Sequence, residues 1–298
     1  MIYAGGSLSG NALNRLSNPT GISMDSKDNL YISDSANYRV VKYVPGASSG
    51  ILVAGNGSTG NSLNQLSMSI RFTYADSNEN LYISDNGNHR VMRWANGASI
   101  GSIVAGNGTS GASLNQVGAP WSVWVDSNSN LFVVEFQNNR VTKWSPGATA
   151  GVIVAGGNGS GITPDKLYWP SGLSYNETNQ DLYITNFYST SSSVIKWHVG
   201  DVNGTVVGGT LGSLGSSSTQ LNSPLGVTLD RWNNVYVVDR SNFRIQLFCS
   251  GNLTGITIAG NAIGGRSLSL PYGVALDSQL NLYVSDYSSS QVYKFNKL

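Results

Sequence analysis

Hydrophobic and polar positions along this chain fall into short runs of five or six residues, alternating or wholly apolar, separated by Gly, Ser, Asn or Pro. The first such set is "GISMD" (21–25), "NLYISD" (29–34), "RVVKYV" (39–44) and "GILVAG" (50–55). Runs this short, with turn residues at both ends, predict β-strands joined by hairpins. The second run then returns along the whole chain. "NLYISDSANYRV" (29–40) is followed by "NLYISDNGNHRV" (80–91), "NLFVVEFQNNRV" (130–141), "DLYITNFYSTSSSV" (181–194), "NVYVVDRSNFRI" (234–245) and "NLYVSDYSSSQV" (281–292). Its aromatic anchors are Tyr31, Tyr82, Phe132, Tyr183, Tyr236 and Tyr283, in steps of 51, 50, 51, 53 and 47. A period near fifty with four strands per period predicts propeller blades, one per repeat.

The ends of the chain fix the blade count. The last repeat supplies "YGVALD" (272–277), "NLYVSD" (281–286) and "QVYKFN" (291–296), and then lacks a fourth strand. The opening "IYAGG" (2–6) matches the "VAG" that closes other repeats at Gly55, Gly106 and Gly156, with variants at Gly208 and Gly260. The sequence therefore predicts an all-β, six-bladed propeller of four-stranded antiparallel blades over residues 1–298 as a single domain. The N-terminal strand pairs into the last blade, and ring closure leaves no long unpaired edge there.

Composition agrees and removes several function classes. Charged residues are 11% of the chain while aromatic residues reach 10%, as in a turn-rich β protein and unlike a disordered one. Seventeen basic residues against sixteen acidic ones give a net charge of +1, which demands no polyanionic partner. Cys249 is the sole cysteine, so no internal disulfide staples the fold. No apolar run is long enough to span a membrane, and the chain opens directly into a strand, as it would if any targeting segment had been trimmed away. Six Asn-x-Ser/Thr sequons, at Asn56, Asn107, Asn158, Asn176, Asn203 and Asn252, suit a secreted or cell-surface domain.

Each repeat reads approximately Pro-x-Gly, an apolar strand ending in Asp, "LYISD", then Asp-x-x-Asn-x-Arg-Val. The first repeat carries this as Pro19, Gly21, Asp25, Asp34, Asn37, Arg39 and Val40, and the second spells "NHRV". In these residues the chain resembles the six-bladed NHL-repeat propellers over essentially its whole length. WD repeats would end in Trp-Asp, and Kelch repeats share the period without the Asp-x-x-Asn-x-Arg pattern. Some NHL propellers bind RNA through a basic face. Here nine of the seventeen basic residues are themselves periodic, and the other eight (Arg15, Lys27, Arg71, Lys166, Arg231, Arg240, Arg266 and Lys297) do not cluster in sequence, so nucleic acid is not expected as a partner.

The acid ending the second strand is Asp34, Asp85, Glu135, Asn186, Asp239 and Asp286, and the residue five positions on is Arg39, Arg90, Arg140, Ser191 (approximately), Arg244 and Gln291. Four repeats keep both charges and the fourth loses both together. Paired loss points to a structural acid–arginine contact, with the carboxylate accepting a two-pronged guanidinium, and to an Asn that caps the turn between them. His89 is then a turn residue, because Tyr38, Asn139 and Phe243 occupy the same slot.

Specificity belongs where the repeat breaks. The residue between Pro and Gly reads Thr20, Arg71, Trp121, Ser171, Leu225 and Tyr272, and the start of the turn after the second strand reads Ser35, Asn86, Phe136, Phe187, Arg240 and Tyr287. In a propeller both slots open on one face, around one end of the central channel. The predicted binding residues are Arg71, Trp121, Glu135, Phe136, Trp169, Asn186, Phe187, Arg240, Tyr272 and Tyr287. They would form an aromatic floor with polar anchors, suited to a protein, peptide, glycan or small molecule. Tyr74 and Trp124, where other repeats have small residues, read as core.

Catalytic chemistry finds little support. Propellers of related fold include a lyase that holds a metal on histidines, but His89 and His198 cannot supply three ligands. A calcium-dependent hydrolase or lactonase with a metal on the axis is the alternative, using Glu135, Asn186 and Asp239. No Gly-x-Ser-x-Gly elbow and no Cys–His pair occurs, and "GNGSTG" (55–60) recurs as "GNGTSG" (106–111) without a following helix, so it is no phosphate cradle. The expectation is a non-enzymatic recognition module that needs no cofactor.

Overall fold

The structure, a computed structural model, describes residues 1–298 apart from Ser7, Ser189, Ser191, Ala262, Gly264 and Leu298. Five strands open the chain: β1 (Ile2–Ala4), β2 (Pro19–Met24), β3 (Leu30–Asp34), β4 (Arg39–Tyr43) and β5 (Ile51–Ala54). All five residues of β3 are buried, because it lies between β2 and β4 within the blade and between neighbouring blades. That is why its sequence is apolar up to the final acid. β5 is the outer edge, and its first two residues are exposed. The order β2-β3-β4-β5 is antiparallel throughout.

Among the described residues six such sheets stand round one axis, with inner strands Pro19–Met24, Ile70–Ala75, Pro120–Val125, Pro170–Asn176, Pro224–Leu229 and Pro271–Leu276. Blade six takes its outer strand from the other end of the chain. β1 pairs with Gln291–Phe295, the Met1 ammonium donates to the Lys294 carbonyl at 2.8 Å, and the Gln291 amide donates to the Gly6 carbonyl at 2.9 Å. The ring closes as the sequence predicts. No described helix is long and apolar enough to cross a membrane.

The core lies between blades rather than within one. Val40, Ala54 and Leu66 pack with Tyr31 against Ile83, Met92 and Trp94 of the next blade. Fully burying one such large apolar side chain contributes about 1.5–3 kcal/mol, so each interface rests on several of them. Trp94 needs the small residue facing it, because a Cβ on Gly101 would lie 2.9 Å from the indole. The glycine just after β5 answers a different demand. Gly55 has φ +78°, and a Cβ there would run into the Tyr38 carbonyl oxygen. In blade four the equivalent residue is Gly209, paired with Ser193 and at φ +79°, one residue beyond the Gly208 that the sequence suggests.

One irregularity recurs and bears on function. In all six blades the pairing of the inner strand with its neighbour shifts register between the first and fourth residues, as between Pro19 and Ile22. A bulge re-aims the side chains it carries. The residue between Pro and Gly sits inside it. This end of the inner strand, the turn after the second strand and the long connections between blades share one face, here called the upper face. The turns at 25–29 and 44–50 lie on the lower face.

Candidate functional site

The acid–arginine pairs are struts, built more elaborately than the sequence implies. Asp85 Oδ2 accepts from Arg90 Nε and from the Asn88 amide, both at 2.8 Å, and its Oδ1 accepts from the Ser67 N–H at 2.9 Å. Arg90 does not grip the carboxylate with two prongs. Its Nη1 donates to the Asn61 carbonyl and its Nη2 to the carbonyls of Ser62 and Gln65. The pair thus fastens the inter-blade connection at 61–67 to the blade. Asn88 does not cap the turn but reaches from the acid to the Gly60 carbonyl. Arg39, Arg140 and Arg244 repeat the scheme. Burial pushes Asp34 and Asp239 above the usual carboxylate range, opposed by the hydrogen bonds from Asn37 and Asn242 and by the arginines.

Two predicted binding residues belong to these struts and not to the channel mouth. Glu135 is fully buried, with Oε1 accepting from Arg140 Nε at 3.0 Å and Thr142 Oγ1 at 2.8 Å, and Oε2 accepting from Asn138 and the Gly118 N–H. Asn186 is 1% exposed, and its Oδ1 accepts the Tyr168 N–H at 3.0 Å. The residue across from it is Ser193; Ser191, which the sequence puts in the arginine slot, lies outside the described residues. His89 also braces. At φ 49° it closes the turn, and its Nδ1 accepts the Ala119 N–H of the next blade at 3.3 Å. His198 is on the lower face, with Nδ1 3.1 Å from Asp181 Oδ1.

The other eight predicted residues gather on the upper face at the axis. The Arg71 guanidinium lies over the Trp121 ring, 4.5 Å from its centroid. Trp121 stacks on Phe136 at 4.5 Å, and Phe136 stacks on Trp169 at 5.3 Å. Phe187 stands 6.3 Å from Trp121 and 6.4 Å from Phe136. On the other side, Arg71 Nη1 donates to Tyr272 Oη at 3.2 Å, and Tyr272 stacks on Tyr287 at 6.4 Å. Arg240 lies close enough for its charge to act on the Tyr272 phenol. Burial raises that phenol above its ordinary pKa while both arginines pull the other way, so it remains protonated at neutral pH.

Local backbone explains the position of Trp169. Its φ is 47°, a left-handed conformation that bulky residues rarely adopt. The Asn139 Oδ1 accepts its N–H at 2.9 Å, and its carbonyl accepts the Phe187 N–H at 3.1 Å. So fixed, the ring rests on Phe136 and remains 38% exposed. The slots without aromatics do structural work. Thr20 and Ser171 are fully buried and donate to the Ile70 and Pro224 carbonyls, each at 3.1 Å, tying inner strands together.

Sequence reasoning missed two parts of this arrangement. Tyr188 meets Trp169 edge-on at 4.6 Å and stacks on Tyr168 at 3.9 Å, carrying the run of rings outward over blade four. The doublets Tyr168-Trp169 and Phe187-Tyr188 were the available signal. Phe72, Leu225 and Tyr272 form a buried plug across the axis. Beneath Phe72 is a cavity of about 220 Å³ lined by all six inner strands, and Tyr74 and Trp124, 4.6 Å apart, lie in its wall as well as against the blade cores.

Among the described residues three donors at the mouth find no partner: Arg71 Nε, Trp121 Nε1 and Arg240 Nε are buried and unbonded. Leaving a buried donor unsatisfied costs about 1–3 kcal/mol, so three at one place is a marked local deficit. A metal ion on the axis does not fit these residues. The heads of the inner strands carry no carboxylate, Glu135 and Asp239 are engaged in struts, and the charges at the mouth are two guanidinium groups that form no ion pair among the described residues. Among the described residues no three His, Cys, Asp or Glu side chains converge.

The family profile for the NHL repeat matches residues 16–43. Among curated proteins, none matches the sequence. Solved structures sharing the fold include a gluconolactonase from Xanthomonas campestris, with TM-score 0.67, 13% identity, and coverage of 94% of this chain and 86% of that one. An auxiliary nutrient binding protein from Bacteroides thetaiotaomicron has TM-score 0.67 at 12% identity, over 94% of this chain and 69% of that one. A chain of the nidogen–laminin complex has TM-score 0.65 at 14% identity, over 88% and 92%. Likeness at such identities is a likeness of fold, and it spans enzymes and binding proteins alike.

Proposed function

Starting from a six-bladed propeller that carries an NHL repeat, we propose that the chain is a single non-enzymatic recognition domain. It captures its partner at the upper mouth of the channel, on blades two to six. The observation that carries this reading is the run of rings from Trp121 through Phe136 to Trp169, partly open to solvent and joined at the axis to Arg71. Stacked aromatic faces with one cation suit a guest that is flat or apolar on one side and polar at one end. No histidine, cysteine or free carboxylate belongs to this group, so it holds neither a general base nor an activated nucleophile. The exposed sequon residues Asn56, Asn107, Asn158, Asn203 and Asn252 support an extracellular setting.

The test is a binding screen with glycans, peptides and metabolites, followed by tryptophan emission and calorimetry. Trp169→Ala is expected to weaken the captured ligand at least tenfold, about 1.4 kcal/mol, without changing the melting temperature. A ligand whose affinity ignores both Trp169→Ala and Trp121→Ala would overturn the proposal.

A further inference from the structure

Resting on that reading, we infer that the guest carries an oxyanion, foremost a carboxylate, which seats among Arg71, Trp121, Arg240 and Tyr272 while its flat part lies along Phe136 and Trp169. The inference comes from a mismatch between donors and acceptors. Among the described residues Arg71 Nε, Trp121 Nε1 and Arg240 Nε are buried donors without partners, and all three belong to the mouth. Tyr272 Oη already accepts from Arg71, and its own proton has no acceptor among the described residues. Arginine and the indole N–H can only donate. Four donors therefore belong to the mouth, and among the described residues no acceptor receives them.

Charge tells the same story independently. Neither Arg71 nor Arg240 forms an ion pair among the described residues, whereas Arg39, Arg90, Arg140 and Arg244 all do. The acids one position before the mouth slots, Asp85, Glu135 and Asp239, are fully buried and held by their own arginines. Among the described residues the two mouth cations thus have no counter-ion, beside apolar walls that weaken screening by water. The Nε edge of a guanidinium presents two N–H groups side by side, the geometry that a planar two-oxygen group accepts. An acidic sugar and an aromatic acid offer the same combination of carboxylate and flat face.

Paired probes decide between charge and shape. D-glucuronate is compared with D-glucose, and indole-3-acetate with indole-3-acetamide, by calorimetry and tryptophan emission on the whole chain, with inorganic phosphate as a bare oxyanion. The acid of at least one pair is expected to bind tenfold or more tighter than its neutral twin, with affinity falling as salt is added. Arg240→Gln and Arg71→Gln, checked for folding by near-ultraviolet circular dichroism, should each erase most of that ratio. Phosphate that competes with the acid supports an oxyanion seat in general. Neutral twins that bind as tightly as the acids, and still respond to Trp169→Ala, would sink the oxyanion while leaving the recognition reading intact. Ratios unchanged in both arginine variants, or no acid binding at all, would also overturn it.

Discussion

Arg90 shows how much one planar side chain can organise. Its Nε meets a carboxylate and its two Nη groups meet three carbonyls, so the interaction with Asp85 and the position of residues 61–67 stand or fall together. Arg90→Ala would leave the Asp85 carboxylate buried with only the Ser67 N–H and the Asn88 amide. Loss of one partner from a buried pair costs about 3–5 kcal/mol, and urea unfolding should register a loss of that size. Arg93→Ala, on a half-buried side chain nearby, should cost less than ~1 kcal/mol. A drop below that for Arg90→Ala would refute the strut. At this scale the sequence was legible in identity and not in direction. Glu135 ends its strand and Phe136 opens the turn that follows, so the two successive side chains leave the backbone in different directions. The first faces the inter-blade connection and the second faces the mouth, and irregular slots alone could not separate them.

Within and between blades, smaller contacts set the fit of one element against the next. Lys27 and Lys42 of blade one hold the Glu79 carboxylate of blade two between them, at 2.6 Å each. Their hydrogen bonds, Lys27 first, pull its pKa down from 4.5 to about 2. An acid depressed by folding stabilises the native state above its unfolded pKa and loses that contribution as pH falls toward the folded one. The window therefore runs from about 4.5 down to about 2. Because Lys27 is 67% exposed, solvent screening keeps the stabilisation under ~1 kcal/mol. The unfolding free energies of the parent protein and Glu79→Gln should differ by that much near neutral pH and converge across the window. A gap that widens on acidification would contradict the assignment. The strands themselves were legible because burial on two faces writes an apolar run, as in β3. The plug of Phe72, Leu225 and Tyr272 was not, since its members come from three blades and meet only across the axis.

At the scale of the whole molecule, β1 decides whether the ring is closed. It supplies buried Ala4, the half-buried Tyr3 that meets the Tyr283 ring edge-on at 4.8 Å, and the ladder to Gln291–Phe295. Removing Met1 to Gly6 should destabilise the protein by about 3 kcal/mol or more, seen as a lower melting temperature. It should also cause association through the opened edge, visible in sedimentation. An unchanged melting temperature would show that closure contributes nothing. The architecture could be foreseen because a fifty-residue period counts blades directly. The mouth could be foreseen only in part, because periodicity marks where symmetry fails without saying which broken positions meet.

Closure of this kind also fixes where the molecule can be held. β1 runs upward from Met1 to Gly6, and its partner runs downward to Phe295, so both ends leave the ring at the underside. A tether, a fused reporter or a sensor chip attached at either end would hang below, and the aromatic bowl would look away from it, unobstructed.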